Sequence, residues 1–168
     1  MSKNLQAARI VRAARSWLGT PYQHQASLKH VGCDCLGLVR GVWREIEGTE
    51  PQSVPPYSSA WSEIGGRERL IDAGKAHFRS VSKKSVQAGD FIVFRLRRGS
   101  TAKHAGILTS ASSFIHAYDG TSVVENALSG FWRDRIAGVY RFPSVVAIDD
   151  AVAAPTDPTG LAVKNTAG

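Results

Sequence analysis

Two thiols, Cys33 and Cys35, stand in the stretch VGCDCLGLVRGVWR (Val31 to Arg44), and five histidines lie elsewhere in the chain. A cysteine attacks as its thiolate, so a nucleophilic role requires a base to take the proton and a further group to hold the base. From Cys35 onward the apolar residues fall at Cys35, Val39, Val42, Trp43 and Ile46, the spacing of a helix with one buried face. Cys35 is thereby placed in the first turn, where free backbone N–H groups and the positive end of the helix dipole favour a thiolate. Asp34 is positioned to cap that turn, and Gly37 and Gly41 let another segment approach the helix closely. The alternative reading of Cys35 is a small buried hydrophobe, which most free cysteines are.

Two of the histidines sit in short β-rich runs. In HAGILT, His104, Gly106 and Leu108 share one face, and in SFIHAY, Phe114, His116 and Tyr118 do. A hairpin turning over Ser110 to Ser112 sets His116 opposite about Gly106 and diagonal to His104 on the same face. A relay follows in which His104 takes the thiol proton and later protonates the leaving amine, while His116 fixes its tautomer. Singly, each histidine reads equally well as a surface or satisfied core residue; their joint placement favours the relay. A zinc site built from His24, His30, Cys33 and Cys35 competes for the same region. C-x-C is a less usual ligand spacing than C-x-x-C, and zinc would leave His104 and His116 without a role. The expectation is no metal and no cofactor.

The elements that must position these groups are legible in outline. A first helix is expected from a Ser2 cap to about Leu18, burying Ala7, Ile10, Val11, Ala14, Trp17 and Leu18, with Gly19 and Pro21 ending it. Arg9, Arg12 and Arg15 lie elsewhere on it, as a solvated face or a basic stripe. Thr20 to Gly32 reads as an irregular connection carrying Tyr22, His24 and His30 toward Cys35. Gly48 to Gly66 is a long loop with Tyr57 and Trp61 embedded, either a wall for a substrate or a loop pinned to the core by its rings. A short helix is expected around Arg67 to Phe78. Five β runs follow, Gly89 to Leu96, His104 to Thr109, Ser113 to Tyr118, Thr121 to Asn126 and Ala137 to Phe142, which predict an antiparallel meander. A helical turn anchored by Phe131 and Trp132 is expected within Ala127 to Arg135. Residues 1–143 form one domain, and residues 144–168, without a convincing period, read as a tail that is disordered or docks to a partner.

At 168 residues the chain has room for one domain with a proper core. No stretch has the length and apolarity of a membrane span, and MSKNLQAARIVRAARSW lacks the apolar core of a secretory signal. Cysteines two residues apart do not readily pair, so both thiols are expected free. The formal charge is +7 and the last 25 residues carry −2, leaving about +9 on the body. Such a field draws polyanions, including nucleic acid and the carboxylate-bearing cell wall. The basic residues are dispersed, and without a recognised binding motif nucleic acid is not the expected partner.

GTPY (Gly19 to Tyr22), DCLGLV (Asp34 to Val39), GDFIVF (Gly89 to Phe94), KHAGI (Lys103 to Ile107) and FIHA (Phe114 to Ala117) resemble, in order, the motifs of the NlpC/P60 cysteine peptidases. GCDCLGLV and the closing VYRFP (Val139 to Pro143) look most like the phage and gene-transfer-agent branch, and the likeness covers about Ala8 to Pro143. The resemblance implies an α+β, papain-like fold with a nucleophile-bearing helix packed on a five- to six-stranded antiparallel sheet. It implies an endopeptidase cutting peptidoglycan stem peptides, typically between γ-D-glutamate and the diamino acid. By the same likeness Cys35, rather than Cys33, is the nucleophile, His104 the base and His116 the third polar residue. Tyr22 matches a tyrosine that supports the oxyanion, and Asp34 an acidic position that in some members meets the substrate amine.

QHQAS (Gln23 to Ser27) departs from the family's usual tryptophan and glycine pair, which puts the near subsites in question. The partners implied are a stem-peptide substrate and tail hub or baseplate proteins, with no membrane insertion. The implied setting is a virion tail, made in the bacterial cytoplasm and acting in the periplasm. A structural tail component that keeps the fold without the activity is the alternative.

Overall fold

A computed structural model of the chain describes residues 2–57 and 67–147. Helix α1 (Lys3–Arg15) begins as expected at Ser2, whose hydroxyl accepts from the Leu5 N–H at 3.4 Å. It ends at Arg15 instead of Leu18. The N–H groups of Trp17 and Leu18 bond three residues back, to Ala14 and Arg15, tightening the last turn before Gly19 reverses the chain at φ +80°. That tightening turns Leu18 outward, 40% exposed, while Ile10, Ala14 and Trp17 enter the core. The basic residues of α1 do not form a free stripe. Arg15 makes a two-pronged contact with Glu125 at 2.9 and 3.2 Å, and Arg9 reaches the Glu45 carbonyl at 3.4 Å.

The connection expected to be irregular carries a small hairpin, β1 (Ser27–Leu28) and β2 (Gly32–Cys33). Strands of two residues are too short to leave a period in the sequence. The hairpin delivers the chain to helix α2 (Cys35–Ile46), which buries Leu38, Val39, Val42 and Trp43. Its two glycines cost about 1 kcal/mol each in helix propensity. They are required all the same, because a Cβ at Gly37 would lie 1.9 Å from the Ala26 carbonyl oxygen and one at Gly41 would lie 2.0 Å from the Trp17 ring. Each fully buried apolar side chain on α2 stabilises by about 2 kcal/mol, which outweighs that cost.

Helix α3 (Arg69–His77) leads into a six-stranded antiparallel sheet made of β3 (Arg79–Val81), β4 (Phe91–Phe94), β5 (His104–Ser110), β6 (Ser113–Ala117), β7 (Val123–Ala127) and β8 (Ile136–Arg141). Helix α4 (Gly130–Arg133) lies between β7 and β8 and carries the expected Phe131 and Trp132. The spatial order is β3-β8-β4-β5-β6-β7. Strands β4 to β7 form the predicted meander, but β8 crosses back to pair with β4 instead of following β7. Beyond it β3, which the sequence reading lacked, closes the edge as three largely exposed residues with no apolar alternation.

Both faces of the central strands are covered, so β4 is buried at every position. One face packs against α1 and α2 through Ile10, Trp17, Leu38, Val42, Val93, Ile107 and Ile115. The other holds Ile92, Phe94, Leu108, Phe114 and Val139, with Trp132 laid against them. Residues 143–147 form a helical turn beginning at Pro143, and it belongs to the body. Val145 is 2% exposed, and Ser144 accepts from the Gln6 side chain at 2.8 Å. The body therefore extends a few residues beyond the boundary expected at 143. Trp61 and residues 148–168 lie outside the described residues.

Candidate active site

Asp34 organises the start of α2. One carboxylate oxygen accepts from the Gly37 N–H at 2.7 Å, capping the helix, and the other accepts from the Gln25 N–H at 2.8 Å and from the Tyr57 hydroxyl. Three segments, the loop before β1, the helix start and the Tyr57 loop, are thus tied to one buried carboxylate. Asp34 lies at the edge of the cleft, with its oxygens taken by protein donors. His24 stands nearby, its Nδ1 3.8 Å from that carboxylate and its Nε2 2.9 Å from the Tyr57 carbonyl oxygen.

Cys35 follows this cap and opens into a cleft of about 430 Å³ shared with Tyr22, His104, Tyr118 and Trp132. Its sulfur touches the backbone on both sides of His104: Sγ lies 3.7 Å from the Lys103 carbonyl oxygen and accepts from the Ala105 N–H. The sulfur thus rests against the backbone that carries His104, and both residues line the same cleft. His104 Nε2 is 2.8 Å from His116 Nδ1, with the rings edge to face at 5.0 Å. Continuing the Ile107–Ile115 register puts Gly106 opposite His116, the pairing the alternation implied. A Cβ at Gly106 would come within 2.8 Å of the Ile115 carbonyl oxygen, so that close approach needs glycine. With Nε2 of His104 engaged by His116, Nδ1 is the ring nitrogen left for the thiol.

The electrostatics correct one expectation. Burial, aided by the Asp34 carboxylate, pushes the Cys35 thiol up to about 12 against the pull of the N–H groups of Ala105, Leu36 and Cys35 itself. A helix terminus contributes about 0.3 to 1 kcal/mol to a nearby charge, less than the cost of drying a thiolate in a buried site. Burial likewise lowers His104 to about 3, helped by His116, and lowers His116 to about 4. The shifts favour the neutral forms, a thiol on Cys35 and uncharged imidazoles at His104 and His116. Tyr22, raised to about 12 chiefly by burial, stays a phenol at neutral pH. It lines the same cleft as Cys35.

These shifts have a consequence for stability. A histidine held neutral below its ordinary value of 6.5 binds fewer protons folded than unfolded across that interval, so stability rises with pH there and is lost on acidification. For His116 the interval runs from 6.5 to about 4 and corresponds to about 3 kcal/mol. Chemical denaturation at pH 7, 5.5 and 4 is expected to show a progressive loss over that window, smaller in His116→Gln.

Other sequence-derived candidates go elsewhere. Cys33, on β2, is fully buried in the core, and burial raises its thiol to about 12. His30 turns the β1–β2 hairpin at φ +63°, its N–H bonded to the Thr20 hydroxyl at 3.0 Å. Among the described residues His24, His30, Cys33 and Cys35 do not gather into a group that could hold a metal ion. Among the described residues of its loop, Tyr57 reaches the cleft.

Two contributors escaped the sequence reading. Trp132, read as an anchor only, lies 5.7 Å from the His104 ring and 5.2 Å from the His116 ring and walls the cleft. Asn126 brings its side-chain amide to 3.0 Å from His116 Nε2. Its signal was available: in the run after SFIHAY it alternates onto the histidine face.

The NlpC/P60 family model matches residues 19–141. Murein DD-endopeptidase MepS/Murein LD-carboxypeptidase of Escherichia coli K12 is 30% identical over 129 residues, 76% of this chain and 58% of that protein. The chain thus spans less than two thirds of that relative's length. Gamma-DL-glutamyl hydrolase of Bacillus subtilis is 27% identical over 81% of this chain and 29% of its own length. An NlpC/P60 family protein from Bacillus cereus has the same fold, with a TM-score of 0.58 at 22% identity over 81% of this chain and 40% of that one. With a helix-borne cysteine packed on a six-stranded antiparallel sheet in a papain-like α+β fold, and a family match across most of its length, this chain belongs to the NlpC/P60 family.

Proposed function

We propose that the chain is a cysteine endopeptidase that hydrolyses amide bonds in peptidoglycan stem peptides, between γ-D-glutamate and the diamino acid, as part of a phage-like tail that opens the wall. The observation that carries the reading is the line Cys35, His104, His116 running from the helix start into the sheet at an open cleft. As the Cys35 sulfur attacks the scissile carbonyl, its proton passes to His104 Nδ1. Tyr22 and the Cys35 N–H receive the oxyanion. When the tetrahedral species collapses, the C–N bond breaks and the leaving amine takes the proton from His104, leaving a thioester on Cys35. Water then attacks the thioester, giving its proton to the same imidazole, and the thiol is restored.

The relatives named as murein endopeptidase and gamma-DL-glutamyl hydrolase support the substrate class, and the second supports the bond. Likeness of the GCDCLGLV and VYRFP stretches to the phage and gene-transfer-agent branch supports the tail setting, in which tail hub or baseplate proteins are the partners. The body's positive charge suits an anionic wall. In that setting the protein is made in the bacterial cytoplasm and acts in the periplasm after delivery.

Purified protein incubated with cell-wall sacculi and defined stem peptides, beside Cys35→Ala, tests the reading by mass spectrometry of the products. The expected product carries a new free amine on the diamino acid and appears only with the intact cysteine. Identical product profiles for the two proteins would favour the structural-component alternative.

A further inference from the structure

We infer that Asn126 decides which nitrogen of His104 is free to take the thiol proton. The inference rests on the peptidase reading of the site and assigns a positioning role to a residue that touches neither Cys35 nor its substrate. Three groups form a chain: His104 Nε2 is 2.8 Å from His116 Nδ1, and His116 Nε2 is 3.0 Å from Asn126 Nδ2, a position that a half-turn of the amide exchanges with Oδ1. The rest of the His116 ring is enclosed by the aromatic rings of Phe114, Tyr118 and Trp132. Asn126 sits on β7, where Phe114 pairs with Asn126 and His116 with Val124, so it stands diagonal to His116 on one face.

A neutral imidazole carries one N–H, and each contact in the chain holds one proton, so only two protonation patterns are consistent. If the Asn126 NH₂ donates to His116 Nε2, then His116 Nδ1–H donates to His104 Nε2. The remaining proton of His104 then lies on Nδ1, and that nitrogen cannot accept from a thiol. If Asn126 presents its oxygen instead, by a half-turn of the amide, His116 carries its proton on Nε2 and donates it to Asn126 Oδ1. His104 then donates from Nε2 to His116 Nδ1, and its Nδ1 lone pair is free.

Only the second pattern lets the Cys35 S–H proton move to His104 Nδ1 while the sulfur electron pair forms the new C–S bond. The imidazolium so formed keeps its Nε2–H bond to His116. Asn126 is half-buried, so its NH₂ group can be hydrated in this orientation. The amide oxygen at the end of the chain thus sets the tautomers of both rings, and through them the competence of the base.

The test uses the whole chain labelled with ¹⁵N-histidine. Long-range ¹H–¹⁵N correlation at pH 7 is expected to show Nε2–H tautomers for both His104 and His116. In Asn126→Leu, which keeps bulk but removes the acceptor, Nδ1–H forms are expected to appear. The same variant is expected to lose about 10- to 100-fold in kcat on a stem peptide, with KM changed less than about twofold, because a wrong tautomer disables the base without touching the substrate. Asn126→Asp, which can only accept, is expected to recover kcat relative to Asn126→Leu and to move the acid limb of kcat/KM to higher pH, since an anion favours the protonated ring. Thermal unfolding of each variant verifies that it is folded.

Nδ1–H tautomers in the unmutated protein would overturn the inference. So would an Asn126→Leu protein that keeps both Nε2–H forms. The ring-nitrogen result stands whether or not stem peptides are hydrolysed, so failure of the peptidase reading is seen separately.

Discussion

Cys35→Ser is expected to lower kcat on a stem peptide by at least about 10³-fold while the protein stays folded. The substitution keeps the position at the first turn of α2 and the neighbouring N–H donors but exchanges a strong nucleophile for a weak one. Because the thiol is neutral at rest, its proton must leave during attack, and a serine hydroxyl, far less acidic, makes that transfer harder still. Cys33→Ser provides the internal comparison two residues away. It places a hydroxyl in the core, where an unsatisfied polar group costs about 1 to 3 kcal/mol, so it is expected to lower the melting temperature and leave kcat of the folded protein within about twofold. Steady-state kinetics and thermal unfolding on both variants check the pair. A folded Cys33→Ser protein without activity, or an active Cys35→Ser protein, would transfer the nucleophile's role away from Cys35.

His104→Ala is expected to cost about 10³-fold or more in kcat. It removes the imidazole that pairs with His116 and lines the cleft with Cys35, and with it the proposed acceptor for the thiol proton and donor for the leaving amine. Substrate affinity, measured in a Cys35→Ala background, is expected to change much less, since the proposed role of His104 is proton transfer and not substrate binding. The alanine leaves a space bounded by Phe94, His116 and Trp132, so added imidazole is expected to restore part of the rate. A His104→Ala protein retaining more than a tenth of the activity would show that another group takes the proton.

Much of this site was legible because the two relevant periods are strong. Apolar spacing from Cys35 to Ile46 specified a helix that begins at the nucleophile, and strict alternation in HAGILT and SFIHAY put both histidines on one face, where they meet at 2.8 Å. Asp34 was readable as a cap because side chains of its type bond the turn that follows them. Its additional bonds to Gln25 and Tyr57 were hidden, since they join segments distant in sequence.

What failed did so for stated reasons. The return of β8 to β4 is a matter of tertiary pairing, and no local pattern distinguishes it from a fifth strand laid beside β7. Strands of two or three residues such as β1, β2 and β3 are too short to show alternation. The helix terminus that favours a thiolate is visible in the sequence, while the partial burial that pushes the Cys35 thiol up is not. Trp132 belongs to the site because α4 folds over the far face of the sheet, a placement that the spacing of its own segment does not contain.

The central claim is that the sulfur of Cys35 forms the covalent intermediate with a stem-peptide carbonyl. Acid-quenching the protein during turnover and fragmenting the peptide that contains both cysteines reads this directly by mass. The account predicts an acyl adduct on Cys35, absent from Cys33 and lost in His104→Ala. An adduct on Cys33, or hydrolysis at full rate with no adduct on either sulfur, would contradict it.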